Sequence, residues 1–263
     1  MKLKNLHSDK YTGTFIITGT APAYINTLRR LVVSKVPAMA IEDVKFVENG
    51  SALYDEMVAH RMGFVPFHTD LKSYFVKEKC KCKGAGCARC QVAMTVNKTG
   101  PCIVYAENIK CKDPKITPVY PKMPVVKLFE GQTLKAEMTA CLGCGKDHAK
   151  FSPGAIFFQG HPVFKIQEAK NAKACVDICP KKILKLDGKK LKVTDEAKCD
   201  LCQACKDACP DAIRVEGSEE DFIVNVESWG QLTVKQMLAT AIEVFESELD
   251  ELDAEIKDAK AEK

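Results

Sequence analysis

The chain has 263 residues, with 39 Lys and Arg against 35 Asp and Glu, and a formal net charge of +4. Its hydrophobic fraction of 46% is ordinary for a globular protein, and its length allows one large domain or two to three small ones. No apolar run approaches the roughly 20 residues of a membrane helix, and the first residues contain no signal-peptide core. A cytoplasmic protein without a membrane span is therefore expected.

The charge is distributed unevenly. Residues 71–122 contain eleven Lys or Arg and three Asp or Glu, whereas residues 217–263 contain four Lys and thirteen Asp or Glu. The basic segment has the charge to face nucleic acid or an acidic protein, and the acidic segment disfavours DNA. The alternative is that both are ordinary solvated faces.

The N-terminal part predicts two strands and two helices. Residues 11–20 have strand composition, and an apolar stripe at helical spacing runs from Pro22 until Pro37 stops it. A second strand is expected around residues 44–46. Ser51 is placed to cap a second helix, which Gly63 ends.

Residues 67–163 show little periodicity and predict a loop-rich segment. Four cysteines lie within eleven residues there, and four thiolates at such spacing close tetrahedrally on a zinc ion. Flanking Lys and Arg side chains are expected to lower the thiol pKa values. Free thiols, or a site that has lost its metal, remain the alternatives. The four residues are Cys80, Cys82, Cys87 and Cys90.

The remaining cysteines of this segment show no complete pattern. Cys141 and Cys144 have the spacing of half a metal site, but no second half is evident. Buried thiols are the simpler interpretation of this pair and of Cys102 and Cys111.

A ferredoxin-type motif follows. The run Cys199-Asp-Leu-Cys202-Gln-Ala-Cys205-Lys-Asp-Ala-Cys209-Pro210 has the C-x2-C-x2-C-x3-C-P spacing of a 4Fe–4S loop, which favours iron over zinc or disulfides. Thirty residues earlier, Cys175-Val-Asp-Ile-Cys179-Pro180 repeats its second half. An Asp-Gly hairpin signal at residues 187–188 separates the halves.

The repeat predicts one cluster rather than two. In the paired arrangement each cluster takes three cysteines from one motif and the last cysteine of the other. The complete set is Cys179, Cys199, Cys202 and Cys205. The other set would need cysteines at positions 169, 172, 175 and 209, but the first two are Ala169 and Ala172. Cys175 and Cys209 are therefore expected to lie close together, as thiols or as a disulfide.

The C-terminal part predicts a strand and a long helix. Phe222, Val224 and Val226 alternate, and Thr233 with Gln236 forms a capping box. The helix carries an apolar stripe at coiled-coil spacing, which requires a partner: its own domain, a second copy or, as we favour, another chain. The stripe consists of Leu238, Ile242, Phe245, Leu249, Leu252 and Ile256.

Several blocks together resemble one family. Asn26-Thr-Leu28-Arg29-Arg30-Leu31 is similar to the dimerisation signature of the alpha-like RNA polymerase subunits, and Leu53-Tyr-Asp55-Glu56 through Gly63-Phe-Val-Pro66 to their next block. His148-Ala-Lys150-Phe151-Ser152-Pro153 and the segment from Phe222 to Gly230 follow in family order. With a ferredoxin-like insertion, the chain resembles the archaeal D subunits.

The resemblance implies an α+β fold of three parts. They are a discontinuous dimerisation domain (residues 1–47 and 217–263), an inserted loop-rich β domain with the zinc loop (48–165), and a ferredoxin-like 4Fe–4S subdomain (166–216). The four zinc-loop cysteines resemble those of the eukaryotic relative, with one extra residue in the middle spacing.

The resemblance also implies an assembly platform without a catalytic site. The family's D subunit pairs with subunit L, and with small subunits N and P it recruits the large catalytic subunits. Asn26, Arg29 and Arg30 would contact the large subunits. No sequence-specific DNA contact is expected. The competing functions are electron transfer in an oxidoreductase, redox sensing, and DNA binding through the basic segment.

Overall fold

The structure is a computed structural model that describes residues 1–167, 172–188 and 190–261. It contains α-helices and β-strands in mixed order. The helices are α1 (Pro22–Ser34), α2 (Asp55–Gly63), α3 (Ala172–Ile178), α4 (Ala204–Ala208) and α5 (Val234–Ala261). The strands are β1 (Lys2–Ser8), β2 (Thr12–Thr18), β3 (Pro37–Asn49), β4 (Gln91–Thr99), β5 (Cys102–Tyr105), β6 (Lys110–Cys111), β7 (Pro124–Leu128), β8 (Thr133–Cys144), β9 (Gly154–Ile166), β10 (Leu184–Asp187), β11 (Lys190–Val193) and β12 (Ile213–Ser228).

The chain separates into two compact units. The first comprises Met1–Thr27 and Ile156–Val226, and the second comprises Leu28–Ala155 and Glu227–Lys263. The three-part division expected from the sequence remains a prediction.

A four-stranded sheet in the order β1-β2-β12-β9 dominates the first unit. Its edge strand β1 is exposed throughout and pairs antiparallel with β2, with a register shift between Asn5 and His7. The segment from β9 to β12 carries α3, α4 and the β10–β11 hairpin, whose turn has Gly188 at φ +64°. The predicted Asp-Gly hairpin is therefore confirmed.

The second unit is built on the four-stranded sheet β3-β8-β4-β6 and a two-stranded sheet of β5 and β7. Its apolar core includes Phe67, Met62, Met94 and Leu134, all fully buried. Helix α2 packs on this core through Val58 and Met62. The sheets leave the cysteine-rich loop before β4 at the surface.

The expectation of a loop-rich segment over residues 67–163 was wrong for much of its length, because β4, β8 and β9 are long strands. The sequence of β8 does contain the alternation of apolar and polar residues that is typical of a strand. Its buried residues are Leu134, Ala136, Met138 and Ala140. Alanine carries little hydrophobic weight in a sequence pattern, yet it fills the space between two closely packed strands.

The predicted cap of α2 was also wrong. The helix begins at Asp55 after Tyr54, while the Ser51 hydroxyl donates to the Asn49 side chain. Ser51 is satisfied within a turn and has no free oxygen to direct at the helix. By contrast, the predicted capping box of α5 is confirmed: the Gln236 N–H donates to Thr233 Oγ1 at 3.2 Å, and the Thr233 N–H donates to Gln236 Oε1 at 2.9 Å.

Candidate metal centres and partner surface

Four cysteine side chains converge in the loop before β4. The Sγ–Sγ distances are 3.5 Å for Cys80–Cys87, 3.4 Å for Cys80–Cys82, 3.6 Å for Cys82–Cys90 and 3.9 Å for Cys87–Cys90. Four sulfurs bound tetrahedrally at about 2.3 Å from one ion lie about 3.8 Å apart. The group therefore has the geometry to bind a single metal ion.

The backbone of this loop is shaped to bring the thiols together. Lys83, Gly84 and Gly86 have φ values of 51°, 84° and 86°, which turn the chain back on itself between the two cysteine pairs. A Cβ on Gly86 would meet the flexible end of the Gln91 side chain at 2.8 Å, so the positive φ, which other residues rarely adopt, is the main reason for glycine here. The prediction that glycines permit the tight turn is confirmed at Gly86.

The four thiols influence one another more than the flanking cations influence them. The side-chain hydrogen bond from Cys80 is the main cause that lowers the pKa of the Cys82 thiol to about 6. The backbone N–H of Cys82 lowers the pKa of Cys80, but side-chain hydrogen bonds and burial outweigh it and raise that pKa to about 11. The expectation that flanking Lys and Arg side chains lower the thiol pKa values was wrong for Cys80 and Cys90, whose pKa values are raised, because these cations lie exposed where solvent screens them.

The four ferredoxin-type cysteines all lie in the first unit. Cys199 and Cys205 are buried, Cys179 is half-buried and Cys202 is exposed. Burial raises the pKa of the Cys199 thiol, and the charges of Asp200, Cys202 and Cys179 raise it further. Burial also raises the pKa of Cys205, with the charges of Cys199 and Cys202 adding to it. Cys199 and Cys205, whose ionisation is opposed by neighbouring thiols, are suited to a cationic group that balances their charge.

Backbone donors also fit these residues to an iron–sulfur group. The N–H of Leu201 is directed at Cys199 and the N–H of Lys206 at Cys205, and both hydrogen bonds favour the thiolate. Such N–H donors to ligand sulfurs are a means by which proteins stabilise clusters. Within the described residues, the zinc-loop cysteines are the set whose ligand atoms all lie within 4.8 Å of one another.

The two cysteines left over from the repeat lie side by side. The Cys175 thiol is hydrogen bonded to the Cys209 side chain and lies 3.8 Å from the Cys205 carbonyl oxygen. Both thiols are buried, and burial together with Cys209 raises the pKa of Cys175 to about 12. Ala169, one of the two missing ligand positions, lies outside the described residues; Ala172 begins α3.

Cys141 and Cys144 do not converge as a half-site. Cys141 is buried against Ala40 and Phe151, whereas the Cys144 thiol donates to the Lys35 carbonyl oxygen at 3.3 Å. Their spacing of three residues in strand β8 places them on opposite faces. Both are packing residues of the second unit.

Helix α5 presents the predicted apolar stripe. Leu238 and Phe245 are half-buried, while Ile242, Leu249, Leu252 and Ile256 are 42%, 49%, 51% and 44% exposed. A different set, which includes Met237 and Ala241, is buried. The helix therefore packs one face and leaves a second apolar face half in solvent.

The predicted contact residues of α1 lie on one helix. Asn26 and Arg29 are half-buried and Arg30 is exposed.

In the part of the chain that the structure describes, no helix is both long and apolar enough to cross a membrane.

Sequence reasoning missed residues that act through backbone contacts. Arg61 of α2 is exposed, and its guanidinium donates to the carbonyl oxygens of Val125 (2.5 Å) and Pro124 (2.9 Å) at the edge of β7. Gln159 donates to the carbonyl oxygen of Cys199, and Gln203 donates to a carbonyl oxygen of β12. No local pattern marks such residues, because their partners are distant in sequence.

Comparison with known proteins places the chain in a family. Residues 41–157 match the model of the RNA polymerase Rpb3/RpoA insert domain. Three relatives called DNA-directed RNA polymerase subunit Rpo3 are similar over nearly their full length. The protein of Methanosarcina acetivorans is 34% identical over 96% of this chain and 97% of its own length. That of Archaeoglobus fulgidus is 34% identical over 93% of each chain, and that of Pyrobaculum calidifontis is 30% identical over 99% and 98%.

The order of the matched blocks, the insert domain and this full-length similarity agree. The chain belongs to the Rpo3 family, the alpha-like D subunits of archaeal DNA-directed RNA polymerase.

Proposed function

We propose that this chain is the assembly platform of an archaeal RNA polymerase, and that α5 pairs with subunit L. The observation that carries the proposal is the half-exposed apolar stripe of α5, a helix of 28 residues. Half-exposed Leu and Ile side chains at spacings of four and three residues are typical of a helix that packs on another helix. The chain itself carries no catalytic role; small subunits N and P and the large catalytic subunits would join the pair.

The charges beside the stripe favour a partner chain over a second copy. At the positions that flank a coiled-coil seam, Glu246, Glu248, Asp253 and Glu255 are all acidic. Glu248 already pairs with Lys35 at 2.9 Å and the exposed Asp253 pairs with Lys257 at 2.6 Å on the same helix, while Glu246 and Glu255 are exposed. Two copies would bring like charges together, so the partner helix is expected to carry Lys or Arg at the matching positions.

The first metal site is proposed to hold zinc. Zn²⁺ prefers four thiolates in tetrahedral geometry, and the short Sγ–Sγ distances of Cys80, Cys82, Cys87 and Cys90 support this ion. The loop contains few large apolar side chains, so the ion would hold it closed.

The second site is proposed to hold one 4Fe–4S cluster through Cys179, Cys199, Cys202 and Cys205. When bound, the cluster would crosslink the two halves of the repeat, and the folding free energy of this segment would then depend on metal. The role is structural in this proposal, because the ligands tie α3, α4 and the β10–β11 hairpin into one small core.

The test is to express the chain with and without subunit L, and to compare it with a Cys202→Ser variant. Wild type should form a stable pair with L, with about four irons and one zinc per chain. Cys202→Ser should still pair with L but load poorly into polymerase, because the ligands and the α5 stripe lie in different compact units. Loss of L binding by Cys202→Ser would show that the two parts are not separable.

The alternative function is electron transfer by the cluster. It draws on the same four cysteines but leaves the α5 stripe and the zinc loop without a role. A lone monomer that accepts electrons from a donor protein and does not bind L would favour this alternative.

A further inference from the structure

The segment that carries the six ferredoxin-type cysteines connects two neighbouring strands. Strands β9 and β12 lie side by side in the sheet, and the N–H of Gln167 donates to the Ala212 carbonyl at 2.9 Å just beyond their ends. The whole segment between them, with all six ferredoxin-type cysteines, therefore leaves and re-enters the sheet at adjacent points. We call these two strands the β9–β12 pair.

Two glutamine side chains connect the ligand loop, residues 199–205, to the β9–β12 pair. Gln159 on β9 donates through Nε2 to the carbonyl oxygen of Cys199 at 2.6 Å. Gln203, inside the loop, donates through Nε2 to the carbonyl oxygen of Val215 on β12 at 3.2 Å. One bond therefore runs from strand to loop and the other from loop to strand, at opposite ends of the loop.

The ligand loop also lies very close to the β9–β12 pair. A Cβ on Gly217 of β12 would come within 3.2 Å of Leu201 Cδ1, and a Cβ on Gly160 of β9 would meet the Ser218 carbonyl oxygen at 2.5 Å. Glycine at position 217 therefore leaves room for the loop beside β12, and glycine at position 160 lets β9 and β12 approach each other closely.

The ligand loop adopts a backbone conformation that needs such support. Leu201 and Gln203 have φ values of 57° and 65°, in the left-handed region that non-glycine residues rarely occupy. Each such residue costs free energy and persists only when its surroundings hold it. The same conformation aims the Leu201 N–H at the Cys199 thiol, which links the geometry of the loop to the ligand sulfurs.

We propose that Gln159 and Gln203 are positioning residues for the cluster, which hold the backbone of Cys199 and of the loop between Cys202 and Cys205 in the ligating conformation. The inference rests on the proposed 4Fe–4S cluster. Neither glutamine binds iron; each fixes a backbone segment that carries a ligand. The expected effect of losing either bond is a faster loss of iron from an otherwise folded chain.

The test uses the full chain with subunit L, reconstituted anaerobically. Gln159→Met and Gln203→Met keep the length of the side chain and remove the donor, and Gln167→Met makes the same change at an exposed position past the end of β9. The first-order rate of iron loss to a chelator, the EPR spectrum of the reduced protein and the Tm of the iron-free chain are measured for each.

The expected result is iron loss about fivefold faster in Gln159→Met and Gln203→Met, the free-energy equivalent of one neutral hydrogen bond. The EPR spectrum should change, while Gln167→Met behaves as wild type and the iron-free Tm is unchanged in all three. Equal rates of iron loss, or an iron-free Tm lowered by as much as the iron-loaded Tm, would overturn the inference. If wild type itself bound no cluster, the cofactor in the proposed function would be wrong instead.

Discussion

The Cys175 thiol is hydrogen bonded to the Cys209 side chain, and both are buried in the apolar cluster of the segment between β9 and β12. In the paired motif these two residues would be ligands of the same cluster. The sequence thus keeps two of the four cysteines of a second motif, with alanine at the other two positions.

Restoring those positions should restore a second cluster. Ala169→Cys/Ala172→Cys would complete the four cysteines of the second motif, and iron should rise from about four to about eight per chain after anaerobic reconstitution. Iron and acid-labile sulfide analysis measures the change. The matched control adds Cys209→Ser to the double variant and should return to about four irons. A double variant that stays at four irons would show that the segment no longer accommodates two clusters.

The zinc loop should depend on each of its four thiols. Cys87→Ser removes one ligand, so zinc content should fall close to zero and the loop around Lys83–Gly86 should become sensitive to protease, because three ligands close a structural zinc site poorly. Metal analysis and limited proteolysis provide the measurements. Cys102→Ser is the control, since Cys102 lies outside the loop and donates to the Thr99 carbonyl. Wild type purified with no zinc, and with four alkylatable thiols at these positions, would contradict the prediction.

Charges beside the α5 stripe should control partner binding. Glu246→Lys/Asp253→Lys should weaken the pair with subunit L about fivefold at low ionic strength, because exposed flanking ion pairs contribute up to about 1 kcal/mol. Titration calorimetry at low and high salt measures the loss, which should shrink in high salt as the charges are screened. Asp250→Lys/Asp258→Lys makes the same charge change away from the stripe and should have little effect. Equal weakening by both pairs would point to net charge alone.

The turn that contains Asp70 should add stability that is lost in acid. The Ser73 hydroxyl, then Lys115 and two backbone N–H groups, lower the pKa of Asp70 from 3.8 to about 2. Because the folded pKa lies below the unfolded one, the contribution is fully present above pH 3.8 and disappears as the pH falls through 2. Asp70→Asn should therefore cost about 1 kcal/mol at neutral pH, measured by denaturant unfolding, and nothing near pH 2. Asp250→Asn, on the exposed face of α5, should cost little at either pH.

Much of the organisation was visible without the fold. The strand at residues 11–20, the helix between Pro22 and Pro37, the Asp-Gly hairpin and the Thr233 capping box all depend on neighbours within a few residues, and the structure confirms each. The cysteine spacings and the thirty-residue repeat likewise name the candidate ligands, because the distances between ligands in such loops are set by short stretches of backbone.

Contacts between distant segments were decided only by the tertiary structure. Strand β8 pairs with β3 and β4, far from it in sequence, and its small alternating alanines gave a weak pattern. The same holds for Arg61 at the edge of β7 and for Gln159 at the Cys199 carbonyl, whose partners are backbone atoms of other segments. Local sequence thus determined which residues carry the candidate metal chemistry, whereas burial and long-range hydrogen bonds determined how they are held.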